Sequence, residues 1–253
     1  MFIQAILFDL HHTLSKTKTG PWELYQELAT DHGIDLTGHS HEEIGNAFLK
    51  QDKWFRAHQI DKNVDPKWGG HPEHWLEADR LALAELGFTD LKDELILSVE
   101  EAWHEVTASR NSEWEFVTPD AKKAVRELKG RGYVLGLCTR RHVSPIPLLE
   151  REGMIDVFDV VEWSGVPGYA KPSPFTLLRA ADEIRTNPRA TAYVGNMANA
   201  DIEAAVRAEM LPVLLTWANP EEARKVREGT VICESPLDLL EVFMGPDQPV
   251  FIH

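Results

Sequence analysis

The sequence predicts an α/β fold, a mostly parallel sheet flanked by helices and interrupted after its first strand by an inserted helical block. Two observations carry this expectation. From Thr118 onward, short apolar runs of strand character alternate with helical segments, which is the signature of βαβ units that build a parallel sheet. By contrast, the hundred residues after the first apolar run, Phe2–Phe8, contain no convincing strand and read as helices. The expected division is a core of residues 1–17 and 118–253 with a separate helical insert of 18–117.

Within the insert the sequence predicts four helices, Pro21–His32, His41–His58, Pro72–Leu86 and Leu91–Arg110, with a loop at Lys62–Gly70 marked by Pro66 and a glycine pair. Six of the eight tryptophans fall there (Trp22, Trp54, Trp68, Trp75, Trp103 and Trp114), a density expected from packing between helices. The acidic stretch Asp90–Glu105 reads as a solvated helix face. In the core, Thr118–Pro119 forms an N-cap and first helical residue, and Gly130 marks a helix stop. Strands follow at Tyr133–Cys138, Val157–Trp163, Thr191–Val194, Leu211–Thr216 and Thr230–Cys233. Helices are expected from Ser173–Pro174, over Asn199–Glu209, and from Pro220 and Pro236.

Composition narrows the function. A chain of 253 residues can bury a sizeable core. Its formal charge of −15 opposes nonspecific binding to nucleic acid or to anionic membranes, so a small molecule is the expected ligand. An anionic ligand would need local cations to overcome that field. No apolar run approaches the roughly 20 residues that span a bilayer, and Met1–Phe8 lacks a basic region before it, so it reads as a strand and not a secretory signal. A cytoplasmic location is expected. Cys138 and Cys233 lie in strand-like runs and read as core thiols rather than a disulfide.

Four short motifs fall at or just after expected strand ends. They are Phe8-Asp9-Leu10-His11-His12-Thr13-Leu14, then Thr139 closing Val134–Cys138, then Lys171-Pro172, then Val194-Gly195-Asn196-Met197-Ala198-Asn199-Ala200-Asp201. In open parallel sheets ligands bind at the carboxyl ends of the strands, so four polar positions there can converge on one site. Elsewhere, His71 and His74 lie three apart with Glu73 between them. Zinc there would need further ligands such as His58 or His104.

In order and spacing the four motifs resemble those of the haloacid dehalogenase superfamily. The resemblance implies a Rossmann-like core with Asp9 as nucleophile at phosphorus or carbon, Thr139 and Lys171 holding the transferred group, and the last motif, with Asn196 and Asp201, arranging Mg²⁺. The insert stands where that family places a helical cap. The residue types suit these roles. A carboxylate is a competent nucleophile once substrate charge is neutralised, and Lys171 supplies a point charge for that purpose. Arg140 adds a further cation beside Thr139.

The chain departs from the family's phosphatase majority at two places. Where a second Asp would serve as general acid and base, it carries His11, whose imidazole can do the same work near neutral pH; the metal ligand implied at that position is the backbone carbonyl, which His11 retains. Where a metal-binding Asp is usual it carries Asn196, which keeps an oxygen donor and loses a charge. The dehalogenase branch's Tyr at position 11 is absent, as is any Arg between Asp9 and Arg56. The expected function is therefore a phosphatase for a small, anionic phosphorylated metabolite, working through an aspartyl phosphate with Mg²⁺. The alternatives are cleavage of a carbon–halogen or carbon–phosphorus bond by the same nucleophile, or a binding protein that has kept the fold and lost turnover.

Overall fold

The computed structural model describes residues 1–64, 72–108, 112–163 and 169–251. The chain opens with β1 (Ala5–Phe8) and β2 (Ser15–Thr17), and continues through helices α1 (Pro21–Asp31), α2 (His41–Lys62), α3 (Pro72–Glu85) and α4 (Asp93–Ala108). It returns at β3 (Glu115–Val117). From there it alternates α5 (Pro119–Gly130), β4 (Val134–Thr139), α6 (Ile146–Arg151), β5 (Val160–Trp163), α7 (Phe175–Glu183), β6 (Thr191–Gly195), α8 (Glu203–Arg207), β7 (Leu211–Leu215), β8 (Val231–Cys233) and α9 (Leu239–Val242). Two compact units result, one of residues 1–16 with 116–253 and one of 17–115.

The first unit is built on a six-stranded sheet of order β5-β4-β1-β6-β7-β8, every pair parallel. β1 is central and buried along its whole length, as strands covered on both faces are. Side chains alternate across the sheet: Ile6 and Phe8 pack with Leu135 and Val194 on one face, while Leu7 and Tyr193 pack with Leu177 and Ala204 on the other. Phe8 sits in register with both Leu137 and Val194, so the residues that follow on β1, β4 and β6 emerge at the same edge. That register is what brings the motifs together.

Several boundaries differ from expectation for local reasons. The Thr118 hydroxyl caps α5 by accepting from the Ala121 N–H at 3.3 Å, but the helix runs through Gly130, and the positive φ of 94° falls to Gly132. The segment expected as one helix over Asn199–Glu209 is instead a π turn (Ala198–Ile202) followed by α8. The Asp201 side chain claims backbone N–H groups of the preceding loop, which sets that wider turn. Pro220 opens a 3₁₀ helix (Pro220–Lys225), and Pro236 opens a 3₁₀ turn that runs directly into α9. Val157 lies in a 3₁₀ turn, so β5 starts only at Val160.

The helical unit has its own core, in which Tyr25, Ala29, Ile44, Ala82, Leu83, Ile96 and Val99 meet. Trp22 stacks on Phe48 at 5.2 Å, and a Cβ on Gly45 would lie 2.7 Å from the Trp22 indole nitrogen, so this glycine makes room for the ring. α2 extends past the expected end to Lys62 and is closed by Asn63 in the left-handed region; most of the expected Lys62–Gly70 loop, and His71, lie outside the described residues. The solvated face expected of Asp90–Glu105 holds for Asp90, Asp93, Glu94, Glu101 and Glu105, which are exposed, and fails at Glu100. Glu100 and His104 are buried, joined to each other at 2.7 Å, and they share the interior with Asp79 and Gln51 from α3 and α2. Position on the helix decides this: Ile96, Val99, Glu100 and His104 recur at helical spacing along one inward stripe. No described helix is long and apolar enough to cross a membrane, and both cysteines are buried free thiols.

Candidate active site

Asp9 follows β1 directly and is anchored there by its N–H donating to the Val194 carbonyl at 2.9 Å. Its side chain is buried, and its two oxygens are placed differently: Oδ1 accepts from Lys171 Nζ at 2.6 Å, and Oδ2 lies 3.3 Å from the Thr13 hydroxyl. That same hydroxyl lies 3.2 Å from Asn196 Oδ1. Lys171 also donates to Asp201 Oδ1 at 2.6 Å and to the Tyr193 hydroxyl at 2.9 Å. The other Asp201 oxygen accepts from the N–H groups of Asn196 and Met197, at 3.1 and 3.0 Å. Only glycine at 195 admits this packing, since a Cβ there would lie 2.3 Å from that of Asp201.

Lys171, Asp9 and Asp201 are each less than a tenth exposed, and such groups persist as ions only when paired. Burial by itself would lower the Lys171 pKa, but the adjacent Asp201 and Asp9 outweigh it and hold the ammonium protonated far above neutrality. Burial pushes the Asp201 carboxyl up and Lys171 pulls it back, leaving a net rise. The Tyr193 phenol is raised well above its usual value by burial and by the same two carboxylates, so it is a neutral donor and acceptor.

Thr139, at the end of β4, is buried and lines a narrow cleft with Lys171, Ala170, Thr176 and the exposed Arg140. His11 is half-buried on the loop two residues beyond Asp9. Adjacent side chains leaving a strand are expected to diverge, yet the His11 and His12 rings stack at 4.0 Å with 26° between their planes. His12 takes φ of 59°, and this left-handed turn swings its ring onto its neighbour. The His58 and His74 rings hydrogen-bond at 2.7 Å in the helical unit. Among the described residues, no group of three or more His, Cys, Asp or Glu side chains is arranged to hold a metal.

Three supporting residues carried no sequence signal of a role. Tyr193 lies inside β6 and donates to the Cys138 carbonyl at 2.8 Å, which ties Lys171 to the strand end that presents Thr139. Glu222, buried in a 3₁₀ turn, accepts from Ala198 N–H at 2.8 Å and so braces the Asn196 loop. Trp217 donates its indole N–H to the Thr13 carbonyl at 3.0 Å.

A family model of haloacid dehalogenase-like hydrolases matches residues 3–209, a span that includes all four motifs. The chain is 26% identical over 244 residues to the glyceraldehyde 3-phosphate phosphatase of Methanopyrus kandleri, covering 95% of this chain and 97% of that one. A solved structure of a predicted phosphoglycolate phosphatase from Haemophilus somnus 129pt superposes with a TM-score of 0.67 at 17% identity, over 95% of this chain and 97% of that chain. The 2-haloacid dehalogenase from Pseudomonas syringae pv. Tomato DC3000 gives 0.60 at 18%, over 96% and 98%. At such identities these two structures speak to the fold alone, whereas the match over residues 3–209 settles the family: the chain belongs to the haloacid dehalogenase-like hydrolases.

Proposed function

We propose that this hydrolase is a phosphatase for a small anionic phosphorylated metabolite. The observation that carries this reading is the buried Asp9, whose carboxylate is held by Lys171 at one oxygen and by Thr13 at the other, at the carboxyl edge of the sheet. Support comes from the phosphatase of Methanopyrus kandleri, which is similar over nearly its full length. The helical unit serves as the cap that selects the substrate, and the enzyme works in the cytoplasm.

In this mechanism the Asp9 carboxylate attacks phosphorus, the bond from phosphorus to the ester oxygen breaks, and the departing oxygen takes a proton from the His11 imidazolium. His11, now neutral, accepts a proton from water as that water attacks the aspartyl phosphate, which releases phosphate and restores both residues. Thr139, Arg140 and Lys171 hold the phosphoryl oxygens. Asp9 Oδ2 and Asn196 Oδ1 approach the same hydroxyl, so two hard oxygen donors converge there and fit Mg²⁺ at reduced charge. With the His11 carbonyl they would hold the ion, which when bound supplies positive charge against the phosphoryl group. Both Asp201 oxygens already have donors, so its part is to orient Lys171 and the Asn196 loop.

The test is phosphate release from a panel of phosphomonoesters, with and without Mg²⁺, alongside halide release from 2-haloacids. The expected result is Mg²⁺-stimulated phosphate release that Asp9→Asn abolishes. Halide release alone, or no turnover of either class, would overturn the reading. His11→Ala should slow alkyl phosphates by about a hundredfold and activated aryl phosphates far less, because only the former need a proton as they leave.

A further inference from the structure

Lys171 is saturated. An ammonium has three N–H groups, and these go to Asp9 at 2.6 Å, Asp201 at 2.6 Å and the Tyr193 hydroxyl at 2.9 Å. A phosphoryl oxygen can engage this lysine only by displacing one of the three. The two carboxylate bonds join opposite charges and are the stronger, while the phenol is neutral and its bond is the longest. Tyr193 also spends its own hydrogen elsewhere, on the Cys138 carbonyl at 2.8 Å, so losing Lys171 leaves no donor of Tyr193 unsatisfied.

The geometry points to Tyr193 as a positioning residue that occupies the third N–H of Lys171 in the free enzyme and yields it to the substrate's phosphoryl oxygen. The inference rests on the reading of Lys171 as a phosphate-holding residue. It gives the buried, uncharged Tyr193 a purpose that packing alone does not: it keeps a buried ammonium fully bonded between turnovers, at the lowest cost of exchange.

Tyr193→Phe separates this role from simple support. It leaves one Lys171 N–H without a partner in the free enzyme but not in the phosphate complex, so inorganic phosphate should bind about tenfold more tightly by calorimetry. Phosphate should also raise the variant's melting temperature more than the wild type's, and in a Lys171→Met background the difference should vanish. Equal or weaker phosphate binding by Tyr193→Phe would overturn the inference. Wild-type enzyme that binds no phosphate at all would instead sink the phosphatase reading. Fluorotyrosine-labelled wild type answers the same question without a mutation, because the Tyr193 resonance must shift when phosphate is added and an unmoved resonance means no exchange.

Discussion

Two clusters of acidic groups are buried in this chain, and they resolve the same problem in opposite ways. In the α/β unit, Asp9 and Asp201 share a lysine at 2.6 Å each. In the helical unit, Asp79 and Glu100 face each other with Gln51 at 3.3 Å from Asp79 and His104 at 2.7 Å from Glu100. Among the described residues no lysine or arginine pairs with either acid there. Burial, and then each other's charge, therefore drive Asp79 well above the usual carboxylate range, and burial pushes Glu100 up to about 7. Burial also lowers His104 to about 4, so it cannot serve as the missing cation at neutral pH. The difference teaches that a lysine set between two buried acids counters the effect of burial, whereas buried acids with no cation between them become a proton store.

Removing the cation is the sharpest way to break the contrast. Lys171→Met should convert the first cluster into something like the second, with two buried carboxylates and no partner. Turnover should fall by at least about a thousandfold, and unfolding in denaturant should show a loss of about 3–5 kcal/mol. A variant as stable as wild type would mean that the lysine contributes little to holding these acids in place.

The proton store predicts a pH dependence of its own. A carboxyl whose pKa is higher folded than unfolded keeps its proton while the unfolded chain releases it, so stability falls as pH rises between the two values. For Glu100 that window runs from its usual value to about 7, and Asp79 shifts in the same direction. His104, lowered to about 4, acts oppositely between about 4 and its usual value, since there only the unfolded chain binds the proton. His104 offsets the fall due to one of the two carboxyls through mildly acid pH, so a net fall from the other remains there, and the Glu100 share is complete by about pH 7. Glu100→Gln should accordingly stabilise the protein at pH 8 by about 2 kcal/mol and do little at pH 5. Melting curves across pH check this, and a Glu100→Gln profile parallel to wild type would remove the proton store.

The first cluster was legible in the sequence and the second was not, for a physical reason. A parallel sheet fixes where its strand ends lie, so Asp9, Thr139 and Asn196 could be placed together from the apolar runs preceding them, and register then carried them to one edge. Tyr193 escaped notice because an aromatic inside an apolar strand reads as core, which it also is. Glu222 falls in the first turn of the helix expected from Pro220, where nothing in the sequence marks it as buried. Glu100 and Asp79 are one step further from view: a helix has several faces, and which of them turns inward is decided by the partner helices rather than by the acidic run itself. The stacking of His12 on His11 depended on a left-handed backbone that no glycine announced.

The smallest expected effect concerns Asn196, where the site differs from the usual carboxylate pattern by one charge. Asp9, Asp201 and Lys171 together carry a single net negative charge, and Asn196 is buried beside them with its Oδ1 3.2 Å from the Thr13 hydroxyl that also approaches Asp9. Asn196→Asp adds a second negative charge at that point without adding a cation, which pushes this cluster toward the condition of Asp79 and Glu100. In chelator the variant should therefore melt a few degrees below wild type, about 2–4 °C for each kcal/mol lost in a chain of this size. On the proposed function Mg²⁺ would supply the missing cation, so saturating Mg²⁺ should reverse the deficit and lift the variant more than the wild type, with a dissociation constant lowered by about tenfold. Equal responses of both proteins to Mg²⁺ would place the ion away from Asn196, and an unchanged melting temperature in chelator would show that the added carboxyl takes up a proton, as the acids of the helical unit do.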